Sequence, residues 1–297
     1  MWLKLGMIED SANRTRLAKL LRYTTTKSDG ESISLQEYVD RMKKGQSKIY
    51  YISGESEEIL KNSPLLERLV RRGYEVLFWT DPLDEYMTGT FTEFEGVKLV
   101  NIAKEGDLDI ESEEEKEKEK ELVEEYKDLV EYLKKTLTKK ISKAVVSTRL
   151  SKSPSAIVSS GYGYTANMER ILKAQALNQQ QSTFMAPRKV MEINPRHPII
   201  QELHRRVAAS EDDPDAKVIA EVLYDTAALN SGFSIDDPSD FATRIHRMMK
   251  LSLNLEADIE AEDEPIAAED AAEDAAAAAA DEDEKVEAVI SEQSAEL

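Results

Sequence analysis

KIYYISGESEEILKNSPLLERLVRRGYEVLFWT, residues Lys48–Thr80, is the stretch that decides the fold. Its ends, KIYYIS and YEVLFWT, are short runs rich in β-branched and aromatic residues, the composition of buried strands. Each follows a segment of helical pattern. Strands alternating with helices in this way predict an α/β layer with some parallel pairing.

Working outward, Asp10 and Ser11 are placed to cap a helix through Leu17, Leu20 and Leu21, and Ser34 with Glu37 has the spacing of a capping box. Downstream, the charge run ESEEEKEKEKELVEE (Glu111–Glu125) reads as a solvated helix face or a linker. Leu122, Tyr126, Leu129, Val130, Leu133 and Leu137 then recur at three and four, so a long amphipathic helix is expected, with a domain boundary beside it. Beyond it come strand-like KAVVST, SAIVSS and KVMEIN, a helix after Thr165, and three closing helices. The last has Asp237 as N-cap, Pro238 in its first turn and Asp240 near its positive end; the one before it can stop at Gly232. The fold class predicted is α/β (α+β): a layered segment over 1–125, a mixed α+β part over 126–255 ending in helices, and an acidic tail over 256–297.

The chain has 297 residues and a net charge of −20. Seventeen acids and one lysine follow Leu255, so the body before the tail is only about four charges negative. The tail is low in complexity and poor in aromatics, and disorder is expected because it cannot bury enough apolar surface to offset its ordering entropy. No basic footprint for a phosphate backbone stands out, so nucleic acid is not an expected partner. No cysteine is present, which excludes disulfides, thiolate nucleophiles and cysteine metal sites. Nowhere does an apolar run approach the ~20 residues that span a bilayer, and neither a membrane nor a signal peptide is expected.

Residues with catalytic potential do not assemble. Gly161-Tyr162-Gly163 lacks a third glycine at Ala166 and the Lys-Ser/Thr ending of a phosphate loop, and its tyrosines would crowd the backbone. His197, His204 and His246 have no zinc-binding spacing and read as structural or surface residues. What remains is apolar surface. Met168, Ile171 and Leu172 form a stripe after Tyr164, which is either core or a binding face. Phe184 and Met185 stand in the polar setting QQQSTFMAPRK, where soft, adaptable side chains suit weak binding of many apolar partners. In the last helix Phe241, Ile245, Met248 and Met249 make one stripe, and Leu251, Leu253 and Leu255 widen it. Such breadth fits either a core or a two-fold interface.

LKLGMIEDSANRTRLAKLLRY, KIYYISGES, LLERLVRRGYEVLFWTDPLDEY, YGYTANMERILKAQA, MEINPRHPII and LYDTAALNSGFSIDDPSDFATRIHRMMKLSL closely resemble the ninety-kilodalton heat-shock chaperones, in order, from Lys4 to Leu253. The resemblance implies the second half of a middle domain followed by a C-terminal dimerisation domain. Intact members are ATPases that use ATP with magnesium. The segment resembled lies after the nucleotide pocket and the arginine that reaches the γ-phosphate, so no hydrolysis by this chain alone and no cofactor in it are expected. The abrupt start, LKLGMIED, is what a fragment or a truncated gene product would show.

By the same resemblance, client contacts fall on Tyr164, Met168 and Leu172, with Phe184 and Met185 in a mobile loop. Tyr164 stands where the family usually has Trp, Leu172 where Met is common, and Ser155 and Ala156 where Cys is frequent. The family's dimer is a four-helix bundle, which places the interface on Tyr224, Leu229, Phe241, Ile245, Met248, Met249, Leu251 and Leu253. Unfolded proteins and a second copy are the implied partners. The ending SEQSAEL lacks the cytosolic Met-Glu-Glu-Val-Asp handle for co-chaperones. INPRHP, the acidic tail and a degenerate retrieval signal look most like the endoplasmic-reticulum branch, with cytoplasm or another organelle as the alternative. Exposed carboxylates of such a tail can hold calcium loosely.

Overall fold

The computed structural model describes residues 2–161, 163–175, 189–235, 237–253 and 255, with Leu251 described by its backbone alone. Two sheets and twelve α-helices make a mixed α+β fold among these residues. The chain divides at Ile245/His246 into two compact units, and the second is described only at residues 246–253 and 255.

The first part runs α1 (Trp2–Glu9), α2 (Arg14–Ala18), β1 (Arg22–Thr25), β2 (Ile33–Ser34), α3 (Leu35–Asp40), β3 (Lys48–Ser53), α4 (Glu57–Lys61), a 3-10 turn (Pro64–Leu66), α5 (Glu67–Arg71), β4 (Val76–Trp79), α6 (Pro82–Met87), β5 (Glu93–Phe94) and β6 (Val97–Asn101). Its six strands lie in the order β2-β1-β4-β3-β6-β5. The centre is parallel, as expected: Tyr51 of β3 faces Leu77 of β4, and Tyr50 faces Val100 of β6. Here β3 and β4 are buried on both faces. Tyr50, Ile52, Val76 and Phe78 enter one core; Ile49, Tyr51, Leu77 and Trp79 enter the other. The pleat sends successive side chains to opposite faces, so a strand covered on both sides is an unbroken apolar run.

The second part runs α7 (Glu113–Glu125), α8 (Lys127–Thr136), β7 (Lys143–Val146), β8 (Ser155–Ser159), α9 (Ala166–Ala174), β9 (Lys189–Ile193), α10 (Pro198–Ala209), α11 (Pro214–Asn230) and α12 (Pro238–Ser252). Its sheet is ordered β7-β9-β8, with β7 parallel and β8 antiparallel to β9. Ala144, Val146, Ile157, Met191 and Ile193 pack one face against Leu133, Leu203 and Leu223 of the helices. On the other face Ala156, Val158 and Val190 join Tyr50, Ile52 and Phe78 in a middle core shared by both sheets, so that core draws on both sides of residue 125.

Polar groups tie the two sheets together. Arg149, 2% exposed, donates to the carbonyls of Ile102 (2.6 Å), Lys104 (3.1 Å) and Gly106 (3.0 Å), and its Nε lies 3.0 Å from Glu192 Oε1. The Ser159 N–H donates to Ala103 and the Glu105 N–H to Ser159, which continues the linkage through the backbone.

Caps whose partners are sequence neighbours form as their spacing predicts. Ser34 and Glu37 form both bonds of the capping box, the Asp240 N–H donates to Asp237 Oδ1 at 2.9 Å, and Gly232 has φ +86°. Two expectations are corrected. Asp10 folds back to accept the Asn13 N–H and amide, closing a turn, so α2 starts at Arg14 and stops before Leu20. The long helix is broken at Tyr126, whose ring is buried against His204 and whose hydroxyl donates to the Pro195 carbonyl; α7 before it has no buried residue and is the solvated face expected of its charge run. Residues 256–297, expected to be a disordered acidic tail, lie outside the described residues, as do Phe184 and Met185.

Candidate binding surface

Gly161, between β8 and α9, lies in a turn. The Gly163 N–H donates to the Ser160 carbonyl at 2.9 Å. A Cβ on Gly163 would sit 3.0 Å from Ser160 Oγ and 3.3 Å from its nitrogen, a tight fit that glycine relieves, whereas a Cβ on Gly161 would meet open space. Two histidines serve the fold. His197 caps α10 through Nδ1, which accepts the Ile199 N–H, and the His204 ring lies 4.5 Å from that of Tyr126. No group of three His, Asp or Glu side chains placed to hold a metal ion occurs among the described residues.

The turn delivers the chain to α9, whose start is fixed at Thr165. The Thr165 hydroxyl accepts the Met168 N–H at 3.1 Å, the N-cap bond that satisfies an otherwise open helix donor. It also donates to Glu85 Oε1 of α6 at 2.8 Å, and both residues are buried. At the end of β8, Ser159 Oγ donates to the Tyr164 carbonyl at 2.5 Å. Along the helix, Asn167 and Ile171 face inward, while Met168 and Leu172 are half-buried one turn apart and Tyr164 is half-buried just before the cap. Lys173 pairs with Glu169 at 2.8 Å and donates to Ser234 Oγ, and the Gln175 amide donates to the Tyr86 hydroxyl at 3.3 Å. The helix is therefore held by its cap and polar flanks, and its apolar shoulder is left partly in water.

The residues expected at a two-fold interface fall in different places. Tyr224 is buried in the core of the second sheet, with Lys140 Nζ over its ring at 4.9 Å. Leu229, 47% exposed, stands with Ile59, Asn167 and Phe233 around a cavity of about 230 Å³. Along α12, Phe241 and Ile245 are half-buried, and Met248, Met249 and Leu253 are exposed, Leu253 by 68%. The side chain of Leu251 lies outside the described residues. Sequence reasoning missed the Glu85–Thr165 bond. Its partners are eighty positions apart, and DPLDEY marks Glu85 only as one acid among several.

Fold and surface together define a mixed α+β module that displays apolar side chains on a firmly capped helix. A model described as Hsp90 protein matches residues 1–284, and the chain belongs to this family of heat-shock chaperones. It is similar to an endoplasmin homolog of Arabidopsis thaliana, 46% identical over 268 residues that cover 90% of this chain and 32% of that protein. Similar relatives are the endoplasmin homolog of Hordeum vulgare, 44% identical over 88% of this chain and 32% of that protein, and that of Caenorhabditis elegans, 46% identical over 90% and 37%. The chain spans about a third of the length of these relatives.

Proposed function

We propose that this chain is the client-binding and dimerising portion of an ATP-dependent chaperone. The observation that carries the reading is α9: a helix pinned through Thr165 and Glu85, with Met168 and Leu172 held half in solvent. Rigid backbone with soft apolar side chains suits transient capture of exposed apolar segments in unfolded proteins. The exposed Met249 and Leu253 support self-association through the C-terminal helices, because apolar side chains on one helix of a symmetric pair bury each other. In this reading residues 1–125 complete a middle domain and 126–255 form the dimerisation domain. ATP hydrolysis with magnesium belongs to the whole protein, and the relatives' name, endoplasmin homolog, favours the endoplasmic-reticulum lumen.

The test is suppression of aggregation of a denatured client. Met168→Ser combined with Leu172→Ser is expected to weaken suppression at least severalfold while circular dichroism stays the same. Undiminished suppression by this double variant would sink the client-binding reading. Sedimentation velocity tests the dimer: Met249→Glu with Leu253→Glu should convert a concentration-dependent dimer to monomer, and a wild-type chain that stays monomeric at every concentration rules self-association out.

A further inference from the structure

Four arginines surround a cavity of about 440 Å³, with Ser151 and Asn194 on the same wall. Arg68, Arg71 and Arg72 come from α5 and the residue that caps it, and Arg196 from the turn after β9. Two of them are partly neutralised. Arg68 lies 3.4 Å from Glu111 and 3.7 Å from Glu115; Arg72 pairs with Glu115 and donates to the Ile110 carbonyl. The Glu115 carboxyl is drawn down to about 2, first by the Ser112 backbone N–H and then by Arg72, so it remains ionised. Glu67 is taken up elsewhere, by the backbone N–H groups of Ser151, Lys152 and Ser153. Arg71 donates to Ser151 Oγ at 2.8 Å, and Arg196 acts at longer range on Glu119. Among the described residues neither has a carboxylate within ion-pair distance.

We propose that this cavity binds a small, multivalent phosphate-type oxyanion. A guanidinium presents a planar fork of donors matched to two phosphate oxygens, and Arg71 and Arg196 keep theirs uncommitted to any carboxylate. Four cations around one cavity outnumber the two carboxylates that touch them. Leu150 is the one apolar residue on the described wall and no aromatic ring lines it, so the ligand is compact and hydrophilic and has no slot for a base. Because α5 belongs to the first sheet's layer and the turn at Arg196 follows a strand of the second, a bound anion ties the two layers at their junction.

The experiment is calorimetric titration of the full chain with inorganic pyrophosphate at low, constant ionic strength, where screening is weak. One saturable site is expected. Arg71→Gln and Arg196→Gln should each weaken it about tenfold, the loss of one charge-assisted contact. Both side chains are exposed, so melting without the anion should be unchanged and a loss of binding will not reflect unfolding. Citrate, a carboxylate of comparable charge, should bind more weakly. Absence of a saturable site, unchanged affinity in the double variant, or citrate binding as tightly as pyrophosphate would each overturn the proposal.

Discussion

Replacing Thr165 by Val keeps the shape of the side chain and removes its hydroxyl, and this tests how α9 is held. The N-cap bond from Met168 N–H to Thr165 Oγ1 is lost, at a cost of about 1 kcal/mol. Glu85, buried on α6, loses the donor that sits 2.8 Å from its Oε1, which adds about 1–3 kcal/mol for a buried acceptor without its partner. The opening free energy of α9 should thus fall by about 2–4 kcal/mol, and hydrogen-exchange protection of its amides by about thirtyfold or more. Mass-spectrometric exchange on a peptide spanning residues 164–175 reads this directly. Thr165→Ser, which retains donor and acceptor, should stay within about threefold of the wild type, since its hydroxyl makes both bonds. Protection in Thr165→Val equal to that of the wild type would refute the argument that these two bonds hold the helix.

Two further outcomes follow from the junction between the sheets. Arg149→Met removes three carbonyl contacts and leaves Glu192, 4% exposed, without its cation, so calorimetry should show a loss of about 3–5 kcal/mol; adding Glu192→Leu should recover most of it. For Glu67, burial pushes the carboxyl up, but the Ser153 hydroxyl and the N–H groups of Lys152, Ser151 and Ser153 outweigh it and hold the pKa below its ordinary value. A depressed folded-state pKa means that the stabilisation is fully present above the unfolded value of about 4.3 and is lost as pH falls through the folded one. The difference in denaturant midpoint between wild type and Glu67→Gln should therefore be largest near neutrality and shrink in acid; a difference independent of pH contradicts this.

Much of the fold is written in neighbouring residues. The apolar runs at β3 and β4, the capping box at Ser34 and Glu37, the cap at Asp237 and the positive φ of Gly232 each depend on groups within a few positions, and the sequence alone determines them. So does the stripe on α9, because helical geometry puts Met168 and Leu172 one turn apart. The tertiary structure decided what the stripe and the charges mean. It buried Tyr224, placed Leu229 on one cavity with Ile59, set Glu85 against Thr165 and brought Arg196 to the arginines of α5. The partners in each pair lie eighty or more residues apart, and their meeting depends on how two sheets share the middle core. Local spacing and capping carry no information about that path, whereas burial on both sheet faces fixes it.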